Sequence, residues 1–83
     1  MEDRRFKRHG VYKHFKGELY RLEDVAYNSE TNEKMIAYRA LNGDNKLWCR
    51  PYEMFFSEVD HKKYPEAEQK YRFELLEASD DNR

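Results

Sequence analysis

Between KMIAYRAL and KLWCR the chain reads Asn42-Gly43-Asp44-Asn45. Asn and Gly accept the positive φ of a tight turn at little steric cost, so this segment predicts a hairpin. The residues before it alternate. Ile36, Tyr38 and Ala40 fall on one face of an extended strand, and Met35, Ala37, Arg39 and Leu41 on the other. A period of two flanking such a turn predicts a pair of antiparallel strands, which commits the chain to a sheet.

The rest of the sequence extends that sheet. VYKHF, opened by Gly10, alternates Val11, Lys13 and Phe15 against Tyr12 and His14, and Lys16-Gly17 ends it with a turn signal. ELYRLEDVAY resumes a strand, with Tyr20, Leu22 and Ala26 sharing a face if Glu23-Asp24 marks a bulge. NSETNE is a polar loop. Pro51 stops the strand KLWCR, because proline gives a ladder no donor, and it suits the first turn of a helix. PYEMFF is therefore predicted as one helical turn carrying Met54 and Phe55 inward. Residues 60–70 form a charged connector with a turn of helix from Pro65. YRFELLEA supplies a last strand with Tyr71, Phe73 and Leu75 on one side.

These elements predict a mainly β fold: a small, strongly bent antiparallel sheet, an SH3-like half-open barrel with one short helical turn after Pro51. Closure of that kind hides sheet edges. An α+β open sheet with one helix on it is the alternative. Residues 10–77 form the single domain, residues 1–9 a flexible basic start and residues 78–83 a flexible acidic tail.

At 83 residues the core is small. Seven Tyr, five Phe and one Trp must supply it, since each ring buries roughly 150–250 Å². Although 40% of the residues are charged, chains that stay disordered are poor in aromatics. The single cysteine cannot form an internal disulfide, which fits a reducing cytoplasm. No apolar run approaches the roughly 20 residues of a membrane helix, and the N-terminus lacks the apolar centre of a signal peptide. The expectation is a soluble cytoplasmic protein with no membrane contact. Residues 1–21 carry seven Lys/Arg against three Asp/Glu, whereas residues 53–83 carry five against nine. The run RRFKR is read first as a solvated terminus, because domains that bind nucleic acid are usually basic as a whole.

The ordered set GVYKHFKGELY, NSETNE, YRALNGD, LWCRPYEMF and YRFE resembles the domain of unknown function 1653 family of small bacterial proteins. The match runs from Gly10 to about Glu74. The resemblance implies a fold and carries no activity. Where the family usually has a histidine before S-E-T this chain has Asn28, which argues against metal or acid–base chemistry there, and its Y-G turn is Asn42-Gly43 here.

Catalysis finds little support. Cys49 alternates with Trp48 along a strand and reads as a small core residue, and Ser29 and Thr31 read as turn-stabilising hydroxyls. No paired-carboxylate or phosphate-cradling glycine motif is present. His9, His14 and His61 have no ligand spacing with Cys49, so no metal site is expected, and no cofactor. Binding is the better reading. Trp48 and Arg50, two apart on one strand, lie side by side. A guanidinium beside an indole can stack a flat ring or grip a carboxylate or phosphate. Arg39 on the neighbouring strand and His14 complete the candidate site, with Tyr12 nearby. The competing reading makes Trp48 the centre of the core and pairs Arg50 with Glu53, Glu30 or Asp24 as an anchor.

The expected function is non-catalytic binding of a nucleotide-like or other anionic ligand, or of nucleic acid. The alternative is a protein-interaction module, with a protein partner or a homodimer. It would use exposed rings among Tyr12, Phe15, Tyr20, Tyr27 and Tyr52.

Overall fold

In the computed structural model, which describes residues 5–76, the hairpin forms where the alternation places it. Strands β3 (Lys34–Ala40) and β4 (Leu47–Pro51) pair antiparallel, with Tyr38 opposite Trp48 and Ile36 opposite Arg50. The turn between them uses positive φ at Gly43 (60°) and Asn45 (54°), and the Asn45 side-chain amide donates to the Ala40 carbonyl at 3.0 Å. Strands β1 (Val11–His14) and β2 (Leu19–Tyr27) meet across Gly17, at φ 110°. A short β5 (Phe73–Leu75) pairs with β1. The order is β4-β3-β2-β1-β5, antiparallel throughout.

The β2–β3 ladder shifts register between Leu22 and Asp24, so the bulge lies at the predicted place. Its consequence differs from the prediction by one residue. Val25, opposite Ile36, packs against the core, whereas Ala26 is exposed. One extra residue in a strand flips every later side chain to the other face.

The sheet curls strongly but is not closed into a barrel, and β4 and β5 remain its two edges. In a flat sheet with strands about 4.8 Å apart, three steps would separate β5 from β3 by roughly 14 Å. The Phe73 and Tyr38 rings are nevertheless 5.3 Å apart, and the Arg50 guanidinium carbon, from the far edge, lies 5.7 Å from the Phe73 ring.

Inside the curl sits a cluster of Tyr12, Leu22, Ile36, Tyr38, Phe55, Phe56 and Phe73. The single helical turn α1 (Tyr52–Phe55) places Phe55 flat on Phe73, at 4.2 Å and 6°, and edge-on to Tyr12 at 5.5 Å and Tyr38 at 5.3 Å. Phe56, not Met54, is the second inward residue: Met54 is 46% exposed and Phe56 is buried. The helix ends at Phe55, and the next residue leaves it at φ −96°, ψ 12°, turning its ring onto Tyr12 and Tyr52.

Two further expectations are corrected by this layering. Trp48 is not the core's centre, being 47% exposed. Cys49 is exposed as well, because it lies opposite Ala37 on the outer sheet face, which no second layer of the described residues covers. The connector 60–70 forms isolated turns and no helix at Pro65.

Residues 5–9, expected to belong to a flexible start, pack onto the domain. The Arg5 guanidinium lies 4.3 Å from the Tyr71 ring and donates to the Phe56 carbonyl at 2.8 Å. The Tyr12 hydroxyl donates to the Arg5 carbonyl and accepts from the Lys7 amide. The buried phenol thus needs partners, and the segment supplies them. The acidic tail 78–83 and residues 1–4 lie outside the described residues.

Candidate functional site

The concave face of the sheet has two halves. Under α1 it is apolar. Beyond α1 it is polar, because the inward positions of the strands there are His14 on β1, Tyr20 on β2 and Trp48 and Arg50 on β4. Three of the four sequence-nominated residues, His14, Trp48 and Arg50, therefore share one surface. Its floor is Phe73, with His14 at 4.9 Å and Tyr20 at 5.6 Å from it by ring centroids.

Arg50 is half-buried. Its Nε donates to the Tyr38 hydroxyl at 3.2 Å, and its guanidinium lies over the Phe73 ring. Among the described residues it has no carboxylate partner. Glu53 and Glu30 make no ion pair with it, and Asp24 is engaged by Arg8 at 2.9 Å. A neutral hydroxyl and a ring hold this charge in place without neutralising it. The guanidinium carries five donors, and among the described residues the Nε donor is the one engaged in a hydrogen bond.

The neighbouring His14 and Tyr20 are held as neutral hydrogen-bond donors. Burial lowers the His14 pKa, with Arg50, Arg72 and Lys16 adding to the effect and Glu18 opposing it. The Lys16 amide donates to its Nδ1 at 3.1 Å, which assigns the proton of the neutral ring to Nε2. The Glu18 carboxylate, 3.9 Å from Nδ1, is thus a neighbouring charge, not a hydrogen-bonded partner. Burial raises the Tyr20 pKa, and Glu18 and Tyr38 push it the same way, so its hydroxyl stays a donor. The Lys46 ammonium sits 5.6 Å from the Trp48 ring and brings a second cation to the rim.

Arg39 does not belong to this surface. It lies opposite Leu47 and Arg21 on the outer face. There Glu23 accepts from Arg21 at 2.7 and 2.9 Å and from Arg39 at 3.2 Å, while Arg39 also donates to the Asn45 carbonyl at 3.0 Å. Its role is to hold the hairpin turn against β2. Hydrogen bonds from Arg21, followed by the charges of both arginines, lower the Glu23 pKa. A carboxylate stabilised in the folded state contributes stability that is complete above its unfolded pKa and is lost as pH falls through the folded value. Glu23→Gln should therefore lower stability at pH 7, where the carboxylate contribution is complete, and flatten the acid limb of a stability-against-pH curve, the gap to wild type closing as pH falls. An unaltered acid limb would remove Glu23 from that role.

The other rings occupy varied environments. Tyr12 is fully buried, Phe15, Tyr20 and Tyr52 are half-buried, and Tyr27 alone of the five named is exposed, at 60%. The Tyr20 and Tyr38 hydroxyls and Lys46 are site residues that the sequence reading omitted. The hairpin register, which sets Tyr38 opposite Trp48, is the signal that carries Tyr38. Asn28 caps its loop, accepting from the Glu30 and Thr31 amides at 2.9 and 3.2 Å. Among the described residues no cluster of three His, Cys, Asp or Glu side chains can hold a metal, and no helix is long and apolar enough to cross a membrane.

A cleft of about 820 Å³, lined by Lys34, Tyr52, Glu53, Met54, Ser57 and Arg72 among others, contains none of His14, Arg39, Trp48 and Arg50. There the Lys34 ammonium is already placed over Tyr52 at 4.2 Å, and Glu33 and Glu53 line the same walls. The carboxylates in that cleft make it a poorer seat for an anion than the Arg50 surface.

No curated protein matches the chain. Among solved structures it is similar to the crystal structure of a DUF1653 protein from Bordetella bronchiseptica. That match has a TM-score of 0.69 and 28% identity, and covers 84% of this chain and 87% of the other. Residues 10–75 match the family described as "Protein of unknown function (DUF1653)". By the extent of that match, the chain belongs to the DUF1653 family.

Proposed function

We propose that the protein is a non-catalytic binding module for a small, flat, anionic ligand of nucleotide type, working in a reducing cytoplasm where the exposed Cys49 stays a thiol. One observation carries this reading: a half-buried Arg50 whose protein acceptor is a neutral hydroxyl, two residues from a half-exposed indole. A charged group near a core is costly unless paired, and an anionic ligand completes the pair. A phosphate receives charge-assisted hydrogen bonds from the guanidinium, with Tyr20 and the His14 Nε2–H as further donors. The base of the same ligand stacks on Trp48, an interaction worth about 1–3 kcal/mol.

Trp48 is the only tryptophan, so its fluorescence reports on this site alone. Titration with thymidine monophosphate should quench it saturably, whereas thymidine, lacking the phosphate, should bind at least tenfold more weakly. Equal responses to the two, or none to either, would dispose of the anion-binding role.

A further inference from the structure

A second aromatic surface adjoins the first through the end of β1. The His14 ring lies 4.6 Å from Phe15, and Phe15 lies 4.9 Å from Tyr64. Phe15 and Tyr64 line a separate cleft of about 410 Å³, with Pro65 and Ala67 as further apolar wall and Lys16, Lys63 and Glu66 at its rim. Both lysines face the same ring: the ammonium groups of Lys16 and Lys63 stand 5.2 and 5.5 Å from the Tyr64 centroid. Both residues are exposed, and among the described residues neither ammonium has a carboxylate at ion-pair distance.

The two surfaces repeat one composition. Each joins an accessible ring to cations that have no carboxylate partner among the described residues, Trp48 with Arg50 and Lys46 in one case, Phe15 and Tyr64 with Lys16 and Lys63 in the other. Phe73 and His14 connect them at ring-contact distances. Rings for stacking beside a line of positive charge are what a single strand of nucleic acid requires, because every base offers a flat face and every linkage a phosphate. A duplex would present its bases edge-on, out of reach of such platforms.

We infer that the Phe15–Tyr64 cleft is a second subsite and that the ligand spanning both surfaces is a short single-stranded oligonucleotide. This rests on the Arg50 site binding a nucleotide. It adds that the chain continues past His14, with bases stacked at either end and phosphates met by Arg50, Lys16 and Lys63. The protein's formal net charge of −1 limits nonspecific attraction, and Glu18 and Glu66 oppose the strand locally. Binding should therefore depend on few ionic contacts. With about three phosphates neutralised, log K should fall against log salt with a slope of about −2, so fourfold more salt weakens binding roughly 15- to 20-fold.

The test compares thymidine monophosphate with an eight-residue oligothymidylate, by Trp48 fluorescence and by anisotropy of a labelled oligonucleotide. Wild type should bind the oligonucleotide at least tenfold more tightly than the mononucleotide. The Lys16→Glu/Lys63→Glu variant should lose that advantage, with mononucleotide binding unchanged and melting temperature close to wild type. Equal wild-type affinities for the two probes, or an advantage that survives the charge reversal, would overturn the second subsite and leave the first standing. An oligonucleotide that binds in a lysine-dependent way, with no response to the mononucleotide, would support the cleft and refute the Arg50 reading. Failure of both probes would refute both. Should the variant not fold, the wild-type salt slope decides: a slope near zero overturns the inference, and one near −2 supports it.

Discussion

Phe55→Ala should cost about 3–5 kcal/mol of unfolding free energy, the range seen when a buried phenylalanine is truncated to alanine. Phe55 is fully buried and, with Phe73, sits at the middle of the ring cluster. It lies flat on Phe73 and meets Tyr12, Tyr38 and Phe56 edge-on at 5.0–5.5 Å. It is also the inward residue through which a single helical turn is fixed to the sheet. A helix of four residues has no stability of its own, because nucleation is unfavourable. Losing the ring therefore releases α1 as well as opening a cavity. Domains of this size have total stabilities of about 5–15 kcal/mol, and 1 kcal/mol shifts the melting temperature by roughly 4–8 °C. The variant should melt on the order of 20 °C lower. Phe55→Leu should recover most of the buried area but not the ring pairs, which contribute about 0.5–1.5 kcal/mol each. Met54→Ala next to it, at an exposed position, should stay within about 0.5 kcal/mol of wild type. Urea unfolding of the three variants measures all of this. A loss below 1 kcal/mol for Phe55→Ala would show that the core is organised around some other contact.

That Phe55 and Phe73, and not Trp48, form the centre marks the boundary of what the sequence discloses. Turn chemistry and alternation are local, and they placed the hairpin, the Gly17 turn, the bulge and the helix after Pro51. Alternation also assigns faces, and it set Ile36, Tyr38 and Ala40 inward as found. It does not say which end of a face is covered. Trp48 and Tyr38 are direct neighbours across the hairpin, yet Tyr38 is buried and Trp48 half-exposed. α1 packs against β3 and the adjoining end of β4 and leaves the Leu47–Trp48 end of that edge strand open. Arg39 is on the hairpin strand next to Trp48 and Arg50, but the alternation of that strand puts it on the face opposite Tyr38. The absence of a carboxylate beside Arg50 is a three-dimensional fact. Glu53 is close to Arg50 in sequence, Glu30 and Asp24 are not, and no pattern of spacing shows that Asp24 is taken by Arg8.

Arg50→Ala should leave stability within about 1 kcal/mol of wild type and weaken nucleotide binding by roughly 10- to 150-fold. The two halves of that expectation have separate causes. In the folded protein the guanidinium exchanges one hydrogen bond with a neutral hydroxyl at 3.2 Å and a contact with the Phe73 ring, interactions worth on the order of 1 kcal/mol net. Removing it strands no buried carboxylate. That is the event which makes the loss of an anchoring arginine cost about 3–5 kcal/mol. In the proposed nucleotide complex the variant would lose charge-assisted hydrogen bonds to a phosphate, each worth about 1.5–3 kcal/mol. Arg50→Lys should restore only part of the affinity, since an ammonium keeps the charge but not the planar pair of donors. Tyr38→Phe should weaken binding more mildly, by freeing the guanidinium to leave its place over Phe73, and so separates positioning from charge. Measured together by urea unfolding and Trp48 titration, these variants divide an anchor from a site. A drop of 3 kcal/mol or more for Arg50→Ala with nucleotide affinity intact would return the residue to the structural scaffold.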